Sequence, residues 1–102
     1  IFIAGQVGVD ADGELAADDI EAQTRQVYEN IRLILESEDT TLEDVLHTDV
    51  FLVDVQRDLD GYLAVRQAVF DHDPPPSTLL EVKSLVAPEY LVEVKAVAEL
   101  SL

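Results

Sequence analysis

The hydrophobic positions of this chain change their period several times, and each change predicts a boundary between a strand and a helix. Residues 1–9 are rich in β-branched and aromatic residues and precede the Asp12–Gly13 step, which predicts a strand, a tight turn and a short return strand. Helical spacing begins after Asp18 and Asp19, either of which could cap a helix. This helix is expected to end near residues 37–40 and to bury a stripe formed by Ile20, Val27, Ile31 and Ile34.

The middle of the chain predicts a second strand and a second helix. Residues 41–44 resemble a capping box that opens a brief helical turn. Residues 45–55 are strand-like, and their continuous apolar run at 50–53 is typical of a strand covered on both faces. The second helix is expected to begin at Asp58 and to end at residues 71–76, because the prolines there cannot continue it.

Two further strands are predicted near the end of the chain. Residues 77–85 and 90–100 are strand-like, and the turn at residues 86–89 would join them as a closing hairpin. Alternating strands and helices, with hairpins at both ends, predict an α+β fold in which a mixed β-sheet carries two helices packed on one face. No linker or low-complexity tract interrupts residues 1–102, so we expect a single domain.

Composition excludes several kinds of site. The absence of cysteine excludes disulfides, thiolate catalysis and cysteine-based zinc sites, and two isolated histidines, His47 and His72, predict no metal site. No cofactor is predicted. No apolar run approaches the roughly 20 residues of a membrane-spanning helix, and no signal peptide is apparent. We therefore expect a cytoplasmic protein with no membrane partner.

The charge balance is strongly acidic, with 22 acidic and six basic residues giving a formal net charge of −16. The acids are scattered along the chain, which is typical of a salt-adapted, halophilic surface. An acidic surface for a basic partner, and an acidic bias without function, remain open. The same charge disfavours nucleic acid as a partner, because backbone binding relies on Lys and Arg.

Three stretches, residues 1–10, 19–30 and 74–100, resemble the Rid superfamily of reactive-intermediate deaminases. The superfamily is also labelled YjgF, endoribonuclease L-PSP or translation initiation inhibitor. The resemblance implies the chorismate-mutase-like Rid fold and a homotrimer built around the other sheet face, with small-molecule clefts between subunits. The apolar run at 50–53 fits this assembly, and fits equally a monomer with helices on both faces. Because family members carry a strand and loop before the position of Ile1, we expect a short N-terminal segment to be missing.

The resemblance also implies site residues. Glu93 matches a glutamate that contacts the substrate nitrogen or an attacking water, and imine hydrolysis needs such a group to transfer protons. Gly5 and Gln6 match a motif that lets a ligand approach the backbone, and Thr78 could offer its hydroxyl and amide. Each has a structural alternative: a paired glutamate on a solvated strand face, a bulge glycine and an ordinary strand threonine.

Ser77 is the main departure from the family pattern. Deaminase members carry a substrate-clamping arginine in a Pro-x-Arg-Ser/Thr motif, where this chain has Pro75-Pro76-Ser77-Thr78. An arginine fork makes two charge-assisted hydrogen bonds of about 1.5–3 kcal/mol each, so its loss should weaken binding of a 2-imino acid by roughly two to four orders of magnitude. Arg66 could replace the clamp, or it could simply cover apolar surface on its helix.

The sequence leaves three functions open. The first is a Rid-family homotrimer that binds or processes a small metabolite, as an imine or enamine deaminase-like hydrolase whose activity is altered or lost because Ser77 replaces the arginine. The second is a non-catalytic, small-molecule-binding or holdase-like trimer. A nuclease is the third, and the net charge gives it the least support.

Overall fold

A four-stranded sheet covered on one face by two helices forms the protein, and the computed structural model describes its residues 1–71 and 73–100. His72, one of the two isolated histidines, lies outside the described residues. A short 3-10 helix, Leu42–Asp44, precedes the second strand. The α+β class with a mixed sheet and two helices is confirmed. The elements are β1 (Phe2–Val7), α1 (Ile20–Ser37), β2 (Val45–Leu52), α2 (Val55–Val69), β3 (Ser77–Glu81) and β4 (Val92–Ala98).

The sheet has the strand order β1-β4-β2-β3, so the last strand lies in the middle of the sheet. β4 is antiparallel to both of its neighbours, whereas β2 and β3 are parallel and joined through α2. The predicted closing hairpin is therefore wrong, because β2 separates β3 from β4. The predicted return strand is reduced to one bridge between Val9 and Leu15, since the Asp10 side chain closes the turn locally by accepting two backbone N–H groups.

The helix starts follow from side-chain caps. Asp19 caps α1 by accepting the Ala22 N–H at 2.8 Å, one of the two predicted starts. The start predicted at Asp58 is wrong, because Asp54 caps α2 by accepting the Arg57 N–H at 3.1 Å. Asp58 is instead buried in the first turn, where it bonds the guanidinium of Arg57 at 2.8 and 2.9 Å.

The two faces of the sheet differ sharply in character. Alternation along β4 buries its even-numbered residues beneath the helices. The opposite face, which we call the open face, carries Phe2, His47, Asp49, Phe51, Thr78, Leu80, Glu93, Lys95 and Val97. The fold thus places several polar and charged side chains and several apolar side chains together on one uncovered surface.

Two tyrosines tie the helices together inside the core. The hydroxyl groups of Tyr28 and Tyr62 lie 2.5 Å apart, and the Tyr28 ring meets Phe70 edge-on at 5.5 Å. Burial raises the pKa of Tyr28 and of Tyr62, and the neighbouring Tyr62 hydroxyl raises the pKa of Tyr28 further. Both hydroxyls therefore stay neutral.

Candidate functional site

The carboxylate of Glu93 lies against the backbone of Gly5. The pairing of β1 with β4 shifts register between Ile3 and Gln6, so Gly5 sits in a bulge. A Cβ built on Gly5 would overlap the Glu93 carboxylate and lie 2.7 Å from its Cδ. The register shift and the contact with Glu93 fit the bulge interpretation of Gly5, and the approach of a ligand to its backbone stays a prediction.

Glu93 is half-buried, and its carboxylate makes no hydrogen bond or ion pair with any described residue. Lys95, two residues along the same face, lies instead 3.7 Å from Asp49. The alternative in which neighbours pair with both residues thus fits Lys95 but not Glu93. The Glu93 oxygens remain available to water or to a ligand.

Ser77 and Thr78 face opposite sides of the sheet. Ser77 lies on the helix side, where its hydroxyl accepts a hydrogen bond of 2.8 Å from buried Thr48. Thr78 is exposed on the open face, opposite Asp49 in the parallel register. Position 77 therefore offers a hydroxyl that already has a partner.

Thr78 and Glu93 share the open face but not a contact. β2 lies between their strands, and Glu93 pairs with Phe51 whereas Thr78 pairs with Asp49. Strands are about 4.8 Å apart, which separates the two positions by about 10 Å across the sheet, with a further offset of two residues along it. One chain alone does not bring them together around a small ligand.

The remaining two predicted site residues do not contact Glu93. Arg66 lies on the other side of the sheet, and Gln6 bonds within its own strand. Arg66, on α2, donates from Nη2 to the Pro75 carbonyl at 2.8 Å, on the helix side of the sheet. The Gln6 amide donates to Ala4 of its own strand at 3.0 Å, across the bulge. The predicted residues thus divide into an open-face group around Gly5 and Glu93 and a helix-side group of Arg66 and Ser77.

Two amides of α1 that were assigned no role hold the strand ends next to Gly5 and Glu93. Gln23 is fully buried; its amide donates to Ala17 and Glu89 and accepts the Leu91 N–H at 2.9 Å. Asn30 donates to the carbonyls of Val7 and Val9. The sequence signal for this role is the pair of amide side chains within an otherwise amphipathic helix. Helical periodicity alone does not show that these amides bond to loops far away in sequence.

The sequence also did not predict a cluster of Asp49, Lys95 and His47 on the open face. The Asp49 carboxylate lies between Lys95 and His47, whose Nε2 is 3.6 Å away. Apolar side chains flank the group, with Phe2 88% exposed and Leu80 52% exposed. The register between β2 and β4 brings these charges together, and register is not readable from either strand alone.

The described residues offer no group of three or more His, Cys, Asp or Glu side chains arranged to hold a metal ion. Within the same residues, neither helix combines the length and the apolar character needed to cross a membrane.

Comparison with known proteins identifies the family. The endoribonuclease L-PSP family matches residues 1–100. A RutC family protein of Pyrococcus horikoshii is 38% identical over 99 residues, which are 96% of this chain and 77% of that protein. A RutC family protein of Saccharolobus solfataricus is 32% identical over 102 residues, covering 99% of this chain and 79% of that protein.

Solved structures agree with the sequence match. A member of the YjgF/YER057c/UK114 family from Mycobacterium tuberculosis aligns with a TM-score of 0.82 and 33% identity, covering 93% of this chain and 74% of its own. A protein of the conserved Rid family from Yersinia pestis aligns with a TM-score of 0.87 and 33% identity, covering 96% of this chain and 76% of its own. The predicted Rid fold is confirmed, and the chain belongs to the endoribonuclease L-PSP family, within the Rid/YjgF superfamily.

Proposed function

We propose that this protein is a Rid-type homotrimer that processes a small metabolite in clefts between its subunits, as an imine or enamine hydrolase of altered specificity. The observation that carries the proposal is the Glu93 carboxylate. It lies half-buried beside Gly5 on the open face and makes no hydrogen bond or ion pair with the described residues.

The open face supports assembly. Phe2 is 88% exposed and Leu80 52% exposed, and they lie with Phe51 and Val97 on one uncovered sheet surface. The register places Phe2 with Val97 and Phe51 with Leu80 on either side of Asp49 and Lys95. Exposed apolar side chains gathered on one sheet face favour an interaction site, which closed symmetry would cover with copies of the chain. A neighbouring subunit would also bring polar groups close to Glu93. Within one chain, Thr78 lies about 10 Å or more from Glu93 across the sheet.

Glu93 would act on water. Its carboxylate accepts a proton from a water molecule as the oxygen attacks the imine carbon, and it returns that proton to the nitrogen. A second proton passes from the new hydroxyl to the nitrogen, by way of the same carboxylate, as the carbon–nitrogen bond breaks, so that imine and water become a carbonyl compound and ammonia. Gly5 provides the space that holds the carboxylate in place.

Ser77 would alter which substrate is used. Its hydroxyl is bonded to Thr48, and it carries no charge that could hold a carboxylate. Hydrolysis of 2-iminobutanoate should therefore be slow, because the substrate is poorly held while Glu93 orients water.

Substitution at Ser77 tests this function. The wild type should hydrolyse 2-iminobutanoate, generated in situ in a coupled assay, poorly, and Ser77→Arg should increase the rate. Adding Glu93→Gln should abolish the gain. Ser84→Arg is the matched control, because it adds the same charge at another exposed serine. Full activity in the wild type would contradict the role of Ser77, and a gain that survives Glu93→Gln would contradict the role of Glu93.

A non-catalytic, small-molecule-binding or holdase-like trimer is the second candidate. The Ser77–Thr48 hydrogen bond favours it, because the clamp position already has a partner within the chain. A folded trimer without turnover in either the wild type or Ser77→Arg would favour this function. The cytoplasmic location remains a prediction, and a charge of −16 argues against RNA as a substrate.

A further inference from the structure

Apolar side chains flank Glu93 on both neighbouring strands. In the register of the sheet, Glu93 pairs with Val7 of β1 and with Phe51 of β2, and both of these side chains are half-buried. Directly paired residues of antiparallel strands lie on the same face, with Cβ atoms about 4.5–5.5 Å apart. Gly5, which contacts the carboxylate, has no side chain. The side chains directly beside Glu93 across the sheet are therefore apolar.

The basic side chains of the chain lie mostly away from the open face. All four arginines belong to the helices that cover the opposite face: Arg25, Arg32, Arg57 and Arg66. Lys83 is exposed in the loop after β3. Of the six basic residues, Lys95 alone lies on the open face, and its Nζ is 3.7 Å from the Asp49 carboxylate. The open face therefore offers no unpaired basic side chain among the described residues.

The charge on the open face favours a positive ligand. Asp49 and Lys95 form one ion pair, which leaves the half-buried Glu93 carboxylate without a cation. A carboxylate between apolar side chains gains from a cation that donates a hydrogen bond to it, because its own hydration is reduced. The ring of Phe51 would also attract a cation held beside it. A ligand carboxylate would instead be repelled by Glu93 and by the net charge of −16.

We propose that the substrate of the Glu93 site is a protonated imine with apolar substituents and no carboxylate, of the kind formed when a simple amine is oxidised. The inference rests on the proposed hydrolase function and specifies the substrate class that the neutral Ser77 leaves open. The protonated nitrogen would donate to Glu93, and the substituents would lie against Val7 and Phe51.

A protonated substrate can be hydrolysed by Glu93 alone. The carboxylate accepts a proton from water as the oxygen bonds to the imine carbon and the electron pair of the C=N bond moves to nitrogen. Glu93 returns that proton to the nitrogen. It then accepts the proton of the new hydroxyl as the C–N bond breaks and ammonia leaves with the electron pair. Protonated imine and water thus give a carbonyl compound, ammonia and one proton, which Glu93 releases to solvent.

A substrate with a carboxylate is the alternative. It requires a neighbouring subunit to bring a cation such as Lys83 or Arg66 opposite Glu93. Arg66 already donates to the Pro75 carbonyl on the helix side of its own chain. The two alternatives differ in the charge of the ligand that the site prefers, which can be measured with and without turnover.

Two imines that differ only in the carboxylate test the inference by turnover. Butan-2-imine, made in situ from sec-butylamine by a flavin amine oxidase, carries a methyl group where 2-iminobutanoate carries its carboxylate. An amino-acid oxidase makes the second imine, and catalase removes peroxide in both assays. The formation of butanone or 2-oxobutanoate is measured above the spontaneous rate. We expect kcat/KM to be at least about 10-fold higher for butan-2-imine.

Binding provides a readout that does not depend on turnover. Benzamidinium and benzoate share a ring and differ in charge, and benzamidinium resembles a protonated imine in its planar, cationic N–H donors. Each is titrated into the isotope-labelled full chain in potassium chloride. The side-chain carboxyl signal of Glu93, assigned by its loss in Glu93→Gln, is followed by NMR. We expect this signal to shift saturably with benzamidinium and not with benzoate.

Variants complete the test. Val7→Lys places a cation in the position paired with Glu93, where it competes with the ligand, and should weaken benzamidinium binding by about 10-fold or more. Val86→Lys is the matched control, because it adds the same charge at a loop valine that is 89% exposed, and it should bind as the wild type does. If Val7→Lys fails to fold, the wild-type comparison of benzamidinium with benzoate still decides.

Three results would overturn the inference: faster hydrolysis of 2-iminobutanoate than of butan-2-imine, benzoate binding as tight as that of benzamidinium, or unchanged benzamidinium binding in a folded Val7→Lys. The first of these would leave the proposed hydrolase standing. Saturable benzamidinium binding that shifts Glu93, in a protein that hydrolyses neither imine, would uphold the charge preference of the site while contradicting the proposed hydrolase.

Discussion

Gly5 and Glu93 lie against each other across β1 and β4, and the missing side chain of Gly5 gives the Glu93 carboxylate its place on the open face. Neither residue is informative alone, since strand glycines and strand glutamates are both ordinary. Their contact links the backbone bulge to the one acid proposed to act on water.

Gly5→Ala should displace the Glu93 carboxylate and destabilise the protein by less than about 1 kcal/mol, because the new methyl group would overlap the far end of a flexible side chain that can turn aside. Urea unfolding at high salt measures the change. In the double variant Gly5→Ala/Glu93→Ala the clash is absent, so most of the loss should be recovered. Equal destabilisation in the presence and absence of Glu93 would contradict the contact.

Stability should rise steeply with salt, because 22 acidic residues repel one another over distances that only concentrated salt screens. The melting temperature should increase between about 0.1 and 2 M potassium chloride. A variant with Asp12, Glu38 and Asp60 changed to Lys should show a smaller slope, since the three exposed acids add repulsion. A melting temperature that does not change in the wild type would contradict a halophilic adaptation.

The Tyr28–Tyr62 pair should behave as a coupled unit. Tyr28→Phe leaves the Tyr62 hydroxyl buried without its 2.5 Å partner, which should lower the free energy of unfolding by about 1–3 kcal/mol. The double variant Tyr28→Phe/Tyr62→Phe should be no less stable than either single variant, because it buries no unpaired hydroxyl. Strictly additive losses in thermal unfolding would show that the hydroxyls act independently.

Local signals were sufficient for most of the fold. The cap at Asp19, the capping box at residues 41–44 and the alternation along β4 all depend on neighbours in sequence, and all agree with the structure. The start of α2 was misplaced because Asp54 and Asp58 are both plausible caps, and only packing shows that Asp58 is buried against Arg57.

Features that depend on distant pairing were not predictable in the same way. The insertion of β4 between β1 and β2 replaced the expected hairpin, since two adjacent strands in sequence need not pair. The Asp49–Lys95 contact and the buried Gln23 bonds join residues 46 to 68 positions apart. The resemblance selected Glu93 and Gly5 as separate positions, and their contact came only from the structure.

The most direct test of the account is the mass of the protein in solution, because the proposed clefts exist only if the open face joins three subunits. Light scattering in molar potassium chloride at micromolar protein should give three times the 11.3 kDa protomer mass. Phe51→Asp places a charge among the apolar side chains of the open face, on one of the two inner strands, and should give a folded single protomer. Leu33→Asp, on the outer surface of α1 where Leu33 is 50% exposed, should remain trimeric. A wild-type mass of one or two protomers, or a trimer that survives Phe51→Asp, would contradict the account.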